Sequence, residues 1–267
     1  MQKQFFTEAI SLEIFETISK ASQQLGLESY VIGGFVRDYF LKRGTAKDID
    51  IVTIGSGIDL AEKVSSLLSN KPKVQIFKTY GTAMLRYKDI EIEFVGARKE
   101  SYSEESRNPE VSEGNLQDDQ NRRDFTINAL ALSLNEANFG ELLDPFNGID
   151  DLGNGILRTP LNPDITYSDD PLRMMRAIRF ASQLNFKIEK KSLAAITKNS
   201  ERLEIITRER IVDELNKVMS CEKPSIGFLL LEETKLLAQI IPELIDLKGV
   251  EEVEGQKHKD NFYHTLE

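Results

Sequence analysis

The chain has 267 residues, of which 40% are hydrophobic and 29% charged; at ~150 residues per domain this allows one to two domains with a sizeable core. A disulfide-stapled miniprotein is excluded, and no apolar run approaches the ~20 residues that span a bilayer. The net charge of −10 gives no general attraction for nucleic acid, so a polyanion has to be met locally.

The start, MQKQFFTEAISLEIF, lacks a basic region followed by a continuous apolar stretch, which argues against export. A single cysteine, Cys221, cannot form an internal disulfide or a cysteine-rich metal site and fits a reducing cytoplasm. Phe6, Ile10, Ile14, Phe15, Ile18, Ala21 and Leu25 predict an amphipathic helix ended by Gly26. A buried strand at Tyr30 to Ile32, the pair Gly33 and Gly34, and a helix over FVRDYFLK form a strand, glycine turn, helix unit. Ile49 to Ile54 reads as a strand and GSGIDLAEKVSSLLSN as a loop and helix. Strands follow at Val74 to Lys78, Ala83 to Tyr87 and Ile90 to Val95.

Residues 97–121 are almost devoid of apolar side chains, which predicts a long mobile excursion; Lys99 to Asn121 holds two basic against seven acidic residues. FTINALA reads as a helix behind a capping cluster of Arg122, Arg123 and Asp124. Beyond a Pro- and Gly-rich stretch the chain reads as helix after helix, which places a boundary near 145 to 155. Asp170 to Arg210 carries ten basic against five acidic residues.

Residues two apart on a strand share a side, so Asp48 and Asp50 present two carboxylates to one place while Ile49 faces the core. Such a pair repels unless a cation sits between its members, and Mg²⁺ takes one or two carboxylates with water and phosphate. Gly33 and Gly34 at a helix start offer bare N–H groups to phosphate oxygens, and Arg37 adds charge. Glu91 and Glu93 share a strand face; Glu93 is the better third carboxylate. On a helix, Arg173, Arg176 and Arg179 fall within an arc of about 120°, with Met174 and Met175 turned to the core. Three like charges on one arc favour a nearby polyanion.

GGFVRD, the DID ten residues on, NRRDFTINALAL, DPLRMMRAIRF and ERIVDEL resemble, in order, the motifs of class II tRNA nucleotidyltransferases, a family that includes CCA-adding enzymes and bacterial poly(A) polymerases. The resemblance implies an α+β head of the polymerase-beta-type nucleotidyltransferase fold, a small mixed sheet with helices, over residues 1–150. It also implies a helical neck that binds nucleotide and RNA over 151–222, and the start of a helical body, with a truncated HD-like region, over 223–267. It implies Asp48, Asp50 and Glu93 as metal ligands and catalytic carboxylates for two Mg²⁺ ions. Gly33, Gly34, Arg37, Arg123, Asp170, Arg173, Arg176 and Arg179 are implied as nucleotide-site residues, with Asp170 and Arg173 as a protein template for the incoming base. Cytosine and adenine present an amine beside an unprotonated ring nitrogen; a carboxylate accepts the first and a guanidinium donates to the second.

The activity implied is template-independent addition of C and/or A to a tRNA 3′ end from CTP and ATP. A poly(A) polymerase is the alternative, and a non-catalytic RNA-binding module on the same scaffold is the alternative of another class. The partners implied are RNA and nucleoside triphosphates, with no membrane, in the cytoplasm. The segment HKDNFYHTLE, with His258 and His264, resembles the start of an HD-type phosphohydrolase domain but stops before the downstream HD pair such a metal site needs.

Overall fold

Short β-branched runs in the first half pair into a seven-stranded mixed sheet. A computed structural model describes residues 3–44, 47–103, 106–249, 252–253, 256–257 and 260–266. The chain divides into one unit of Met1–Ser101 with Glu110–Gly153 and a second of Tyr102–Pro109 with Asn154–Glu267.

In the first unit the strands are β1 (Glu28–Ile32), β2 (Asp48–Ile54), β3 (Gln75–Phe77), β4 (Thr82–Tyr87), β5 (Ile90–Gly96), β8 (Ala131–Ser133) and β9 (Leu142–Leu143). Their order is β3-β4-β5-β2-β1-β8-β9. Among the described residues β2 and β5 form the one parallel pair of this sheet. Helix α1 (Glu13–Leu25) and helix α3 (Gly57–Leu67) pack together on one face, with α3 against β2, β4 and β5. That face carries Ile49, Ile51, Ile92, Phe94, Ala83 and Leu85, all buried. Between α1 and α3 in the chain, helix α2 (Gly34–Phe40) follows β1 directly.

Three expectations change. The opening helix is broken: Thr7–Ile10 is a separate 3-10 turn, and Leu12 is extended before α1 begins. Phe5 bridges Glu141 and the Phe6 N–H donates to the Gly140 carbonyl, 2.8 Å, so the first residues extend a sheet edge instead of a helix. FTINALA is not a helix: Thr126–Asn128 is a 3-10 turn that runs into β8, because Ala131 and Leu132 are drawn into the sheet beside Ile32 and Val31. The stretch after Ala97 is not an irregular excursion. Strands β6 (Arg98–Ser103) and β7 (Ser106–Glu113) form a two-stranded ribbon, and α4 (Leu116–Asn121) follows with Asn115 and Asp118 in a capping box. A polar ribbon needs no apolar alternation, so composition concealed it.

After α5 (Gly148–Asn154), the second unit is helical: α6 (Pro163–Asp169), α7 (Leu172–Leu184), α8 (Lys190–Asn199), α9 (Arg208–Met219), α10 (Pro224–Glu233), α11 (Leu236–Ile240), α12 (Pro242–Ile245) and α13 (Asn261–Thr265). It is not free of strands: β10 (Ile156–Leu157) pairs in parallel with β11 (Lys187–Ile188), and Glu252–Val253 pairs with Gln256–Lys257. Met174 and Met175 are fully buried among Ile178, Ala181 and their neighbours, as their spacing predicted. At Gly227 a Cβ would lie 2.3 Å from Val218 Cγ1 and 2.8 Å from Ser182 Oγ; α10 needs glycine there to approach α7 and α9. His258 lies outside the described residues, and His264 sits on α13.

Candidate active site

The sheet register decides which carboxylates meet. Asp48 is opposite Glu91 and Asp50 opposite Glu93 across β2 and β5, so all four point to the face away from α1 and α3. The row through Asp50 and Glu93 continues to Met84 on β4 and Gln75 on β3. Burial pushes the Asp50 carboxyl above its ordinary value; the Arg123 guanidinium draws it back, and the charges of Asp119 and Asp48 push it further up. Partial burial and the Asp50 charge likewise raise Glu93, against the pull of the Thr82 hydroxyl and Arg98. Asp50 and Glu93 therefore sit in a field that disfavours their charge, which a cation would relieve.

Gly33 lies over this cluster in a left-handed conformation, φ +84. A Cβ there would come within 2.9 Å of Arg123 Nη1 and 3.3 Å of Asp50 Oδ2, so only glycine lets the backbone approach both groups. Its N–H is not bare: it donates to the Leu130 carbonyl at 3.2 Å.

Arg37 is 6% exposed and turned into the protein. Its Nε and Nη2 donate to Asp38 at 2.8 and 2.9 Å, and Nη1 donates to Asn128 Oδ1 at 2.8 Å. Asn128 Nδ2 in turn donates to Asp124 Oδ1 at 2.9 Å. Arg37 thus braces α2 against the turn after Phe125.

Arg123 is held by a carboxylate that the sequence reading did not select. Asp119 on α4 is fully buried; Oδ2 accepts from Arg123 Nε at 3.1 Å, and Oδ1 accepts from Arg122 Nε at 3.0 Å and from Arg122 Nη2. Burial pushes the Asp119 carboxyl up, but the two guanidiniums outweigh it and hold the group below its ordinary value. Arg122 also reaches Glu100, which pairs with Arg98 at 2.8 Å. The signal in the sequence was the spacing of Asp119 to Arg122 and Arg123, three and four residues along a helix.

In the second unit Asp170 ends α6, accepts the Leu172 N–H at 3.2 Å, and lies 3.9 Å from the guanidinium of Arg173. The arginine arc is compensated, contrary to expectation. Arg179 Nε meets Glu214 of α9 at 2.7 Å, and the guanidiniums of Arg179 and Arg176 lie over the Phe180 ring at 4.2 and 5.5 Å. The balancing charge comes from a helix thirty-five residues away, beyond the reach of local spacing.

Among the described residues no three His, Cys, Asp or Glu side chains gather into a ready metal cage. Two or three hard carboxylates on one open sheet face fit Mg²⁺, which completes its shell with water and phosphate, and do not fit a closed structural metal site.

Residues 29–158 match the family model described as "Poly A polymerase head domain", and residues 185–247 match "Probable RNA and SrmB-binding site of polymerase A". The chain belongs to the class II tRNA nucleotidyltransferase and poly(A) polymerase family. Within this family it is 36% identical over 244 residues to the CCA-adding enzyme of Bacillus velezensis, covering 91% of this chain and 57% of that one. It is 34% identical over 223 residues to the A-adding tRNA nucleotidyltransferase of Aquifex aeolicus, covering 82% of this chain and 26% of that one. A CCA-adding enzyme solved in apo form superposes with a TM-score of 0.82 at 30% identity, over 91% of this chain and 59% of that one. The Thermotoga maritima CCA-adding enzyme solved with tRNA superposes with a TM-score of 0.78 at 30% identity, over 91% and 57%. The chain spans about half the length of most of the curated relatives it matches.

Proposed function

We propose that this chain carries the nucleotidyl-transfer part of an enzyme that adds C and/or A to the 3′ end of tRNA from CTP and ATP. The observation that carries the reading is the register of β2 on β5, which seats Asp50 beside Glu93, close to the Cβ-free backbone of Gly33 and the Arg123 guanidinium. Relatives named CCA-adding and A-adding enzymes support the substrate class, as do family structures solved with CTP and with ATP.

In this reading residues 1–150 are the catalytic head, 151–222 the nucleotide- and RNA-binding neck, and 223–267 the start of a helical body. The RNA 3′-hydroxyl attacks the α-phosphate, a new P–O ester forms and pyrophosphate leaves. Asp48, Asp50 and Glu93 would hold Mg²⁺, which when bound supplies Lewis-acid stabilisation of the charge on the phosphates. Gly33 admits the chain of phosphates without steric hindrance, Gly34 offers its N–H, Arg123 supplies a guanidinium held ready by Asp119, and Arg37 adds positive field. Arg176 adds positive charge, and Arg179, paired with Glu214, fixes the arc beside Asp170 and Arg173, which present an acceptor next to a donor to the pairing edge of C or A. A wrong base leaves one of these groups unpaired, a cost of ~1–3 kcal/mol. A cytoplasmic location is part of this reading, supported by a composition with one cysteine.

The test is product length. With tRNA lacking its 3′ terminus, and CTP, ATP or both, extension by one to three nucleotides is expected. Long A tracts on a generic oligoribonucleotide would identify a poly(A) polymerase instead, and no incorporation in any mixture would overturn the reading. Asp170→Ala should widen nucleotide choice; strict C and A selection in that variant would remove the template role.

A further inference from the structure

The carboxylate-bearing face of the head sheet is covered at one end and open at the other. Towards β1, β8 and β9 it is closed by Tyr30, Ile32, Val52, Ala97 and Ala131, with Ile54, Leu116 and Leu143 packed against them. Towards β3 the strand residues Gln75, Ile76 and Phe77 are all exposed. Phe77 pairs with Thr82, and Thr82 with Val95, which is itself opposite Val52; Phe77 therefore lies on the same face as Asp50, two residues along from Gln75. Three strand spacings of about 4.8 Å put that edge roughly 15 Å from Asp50. Phe77 is 43% exposed and Tyr80, in the turn that follows β3, is 72% exposed.

The charge of this edge runs against that of the molecule. Residues 71–88 hold five Lys or Arg and no Asp or Glu, in a chain of net charge −10. Two of the five have local company: Arg86 is opposite Glu91 on β5, beside the Asp89 turn, and Lys88 lies over the Tyr87 ring at 5.0 Å. Lys71, Lys73 and Lys78 are exposed and interleave with the two aromatic rings. Lysines on an edge strand discourage strand pairing between copies, which explains the lysines but not the exposed rings. A protein partner is disfavoured because the cores of protein interfaces are depleted in lysine. Cations that follow a phosphate chain, alternating with rings on which unpaired bases stack, are the recognition chemistry of single-stranded nucleic acid.

We propose that the β3 edge of the head, through Phe77, Tyr80, Lys73 and Lys78, is a docking platform for single-stranded RNA, with Phe77 on the same sheet face as the carboxylate site. The proposal rests on the reading that the substrate is RNA. It adds a surface that holds the unpaired stretch near the reacting 3′ end.

The experiment compares wild type with Phe77→Ala/Tyr80→Ala and with Lys73→Gln/Lys78→Gln, all surface changes. Fluorescence anisotropy with a labelled single-stranded oligoribonucleotide reads binding directly. Extension of tRNA lacking its 3′ terminus gives KM for RNA and KM for nucleotide separately. The aromatic variant should weaken oligoribonucleotide binding and raise the RNA KM roughly tenfold with nucleotide KM unchanged. The lysine variant, with two phosphate contacts removed, should lower the slope of log affinity against log salt by about 1.4. Photocross-linking of 4-thiouridine placed near the 3′ end should label the peptide that contains Phe77 and Tyr80. Unchanged RNA binding in both variants, or cross-links confined to other segments, overturns the platform. If wild type binds the oligoribonucleotide through this edge but extends no RNA, the platform stands and the catalytic reading fails; if it extends tRNA and the variants match it, the reverse holds.

Discussion

The two faces of β2 and β5 were built from the same short segments, yet they do opposite work. On one, Ile49, Ile51, Ile92 and Phe94 are sealed under α1 and α3; each fully buried side chain of this kind stabilises the fold by ~1.5–3 kcal/mol. On the other, one residue along, Asp50 and Glu93 face each other in a field that raises both carboxyls. Alternation lets one strand anchor the core with one set of side chains and hold destabilising charge with the next. The stable face makes the unstable one possible.

The largest expected effect separates the faces by their readouts. Asp50→Ala should reduce nucleotide incorporation by on the order of 10³-fold, since charge stabilisation at such a site is worth several kcal/mol, while leaving the thermal midpoint close to wild type. Its neighbour Ile51→Ala should do the converse, with ~2–5 kcal/mol lost in denaturant unfolding and normal turnover in the fraction that stays folded. Incorporation by Asp50→Ala near the wild-type rate would erase the distinction.

Asp119→Ala comes next. It leaves Arg122 and Arg123 facing each other without the carboxylate between them, and should cost ~3 kcal/mol or more, measured by urea unfolding. The pH dependence follows from the sign of its shift. Asp119 is held below the ordinary carboxylate value, so its contribution is complete above that value and is lost as pH falls through it towards the lowered one. Asp119→Asn should therefore flatten the acid limb of stability below about pH 4.

A smaller loss is expected for Gly33→Ala. The positive φ and the contacts with Arg123 and Asp50 predict a cost of roughly 1–2 kcal/mol, with a rise in nucleotide KM that Gly34→Ala, at ordinary φ and with its N–H retained, should not match. Smallest is a gain. Asp50 has a raised carboxyl, so the folded state binds its proton more tightly than the unfolded state, and stability declines as pH climbs from the ordinary value through the raised one. Asp50→Asn should remove that decline and raise Tm at pH 7 in EDTA by on the order of 2 °C. Mg²⁺ should then stabilise wild type and not the variant; equal midpoints in EDTA would show that the charged face carries no cost.

Much of this was legible because period and motif are local. The shared side of Asp48 and Asp50 follows from two-residue alternation, the burial of Met174 and Met175 from helical spacing, and the glycine turn from two adjacent residues. What escaped was decided at a distance. Glu93 was favoured from the sequence, but the register of β5 on β2 that seats it opposite Asp50 is not a local property. The compensation of Arg179 comes from Glu214, and the ordering of Arg37 from Asn128, ninety-one residues on. FTINALA has helical composition, but pairing with β1 overrides that preference, as sheet context commonly does. The ribbon of β6 and β7 was hidden because its residues are almost all polar, so its strands carry no apolar alternation.

The parallel pairing of β2 with β5 also sets a timetable. Asp50 and Glu93 are separated by forty-three residues, so their meeting requires α3, β3 and the β4–β5 hairpin to be traversed and a long loop to close. Hairpins between neighbours form in microseconds, whereas non-local parallel contacts bring their reward only after that closure. On the ribosome and in refolding alike, nucleotide-binding competence should be acquired late, after most of the sheet's protection against hydrogen exchange is already in place.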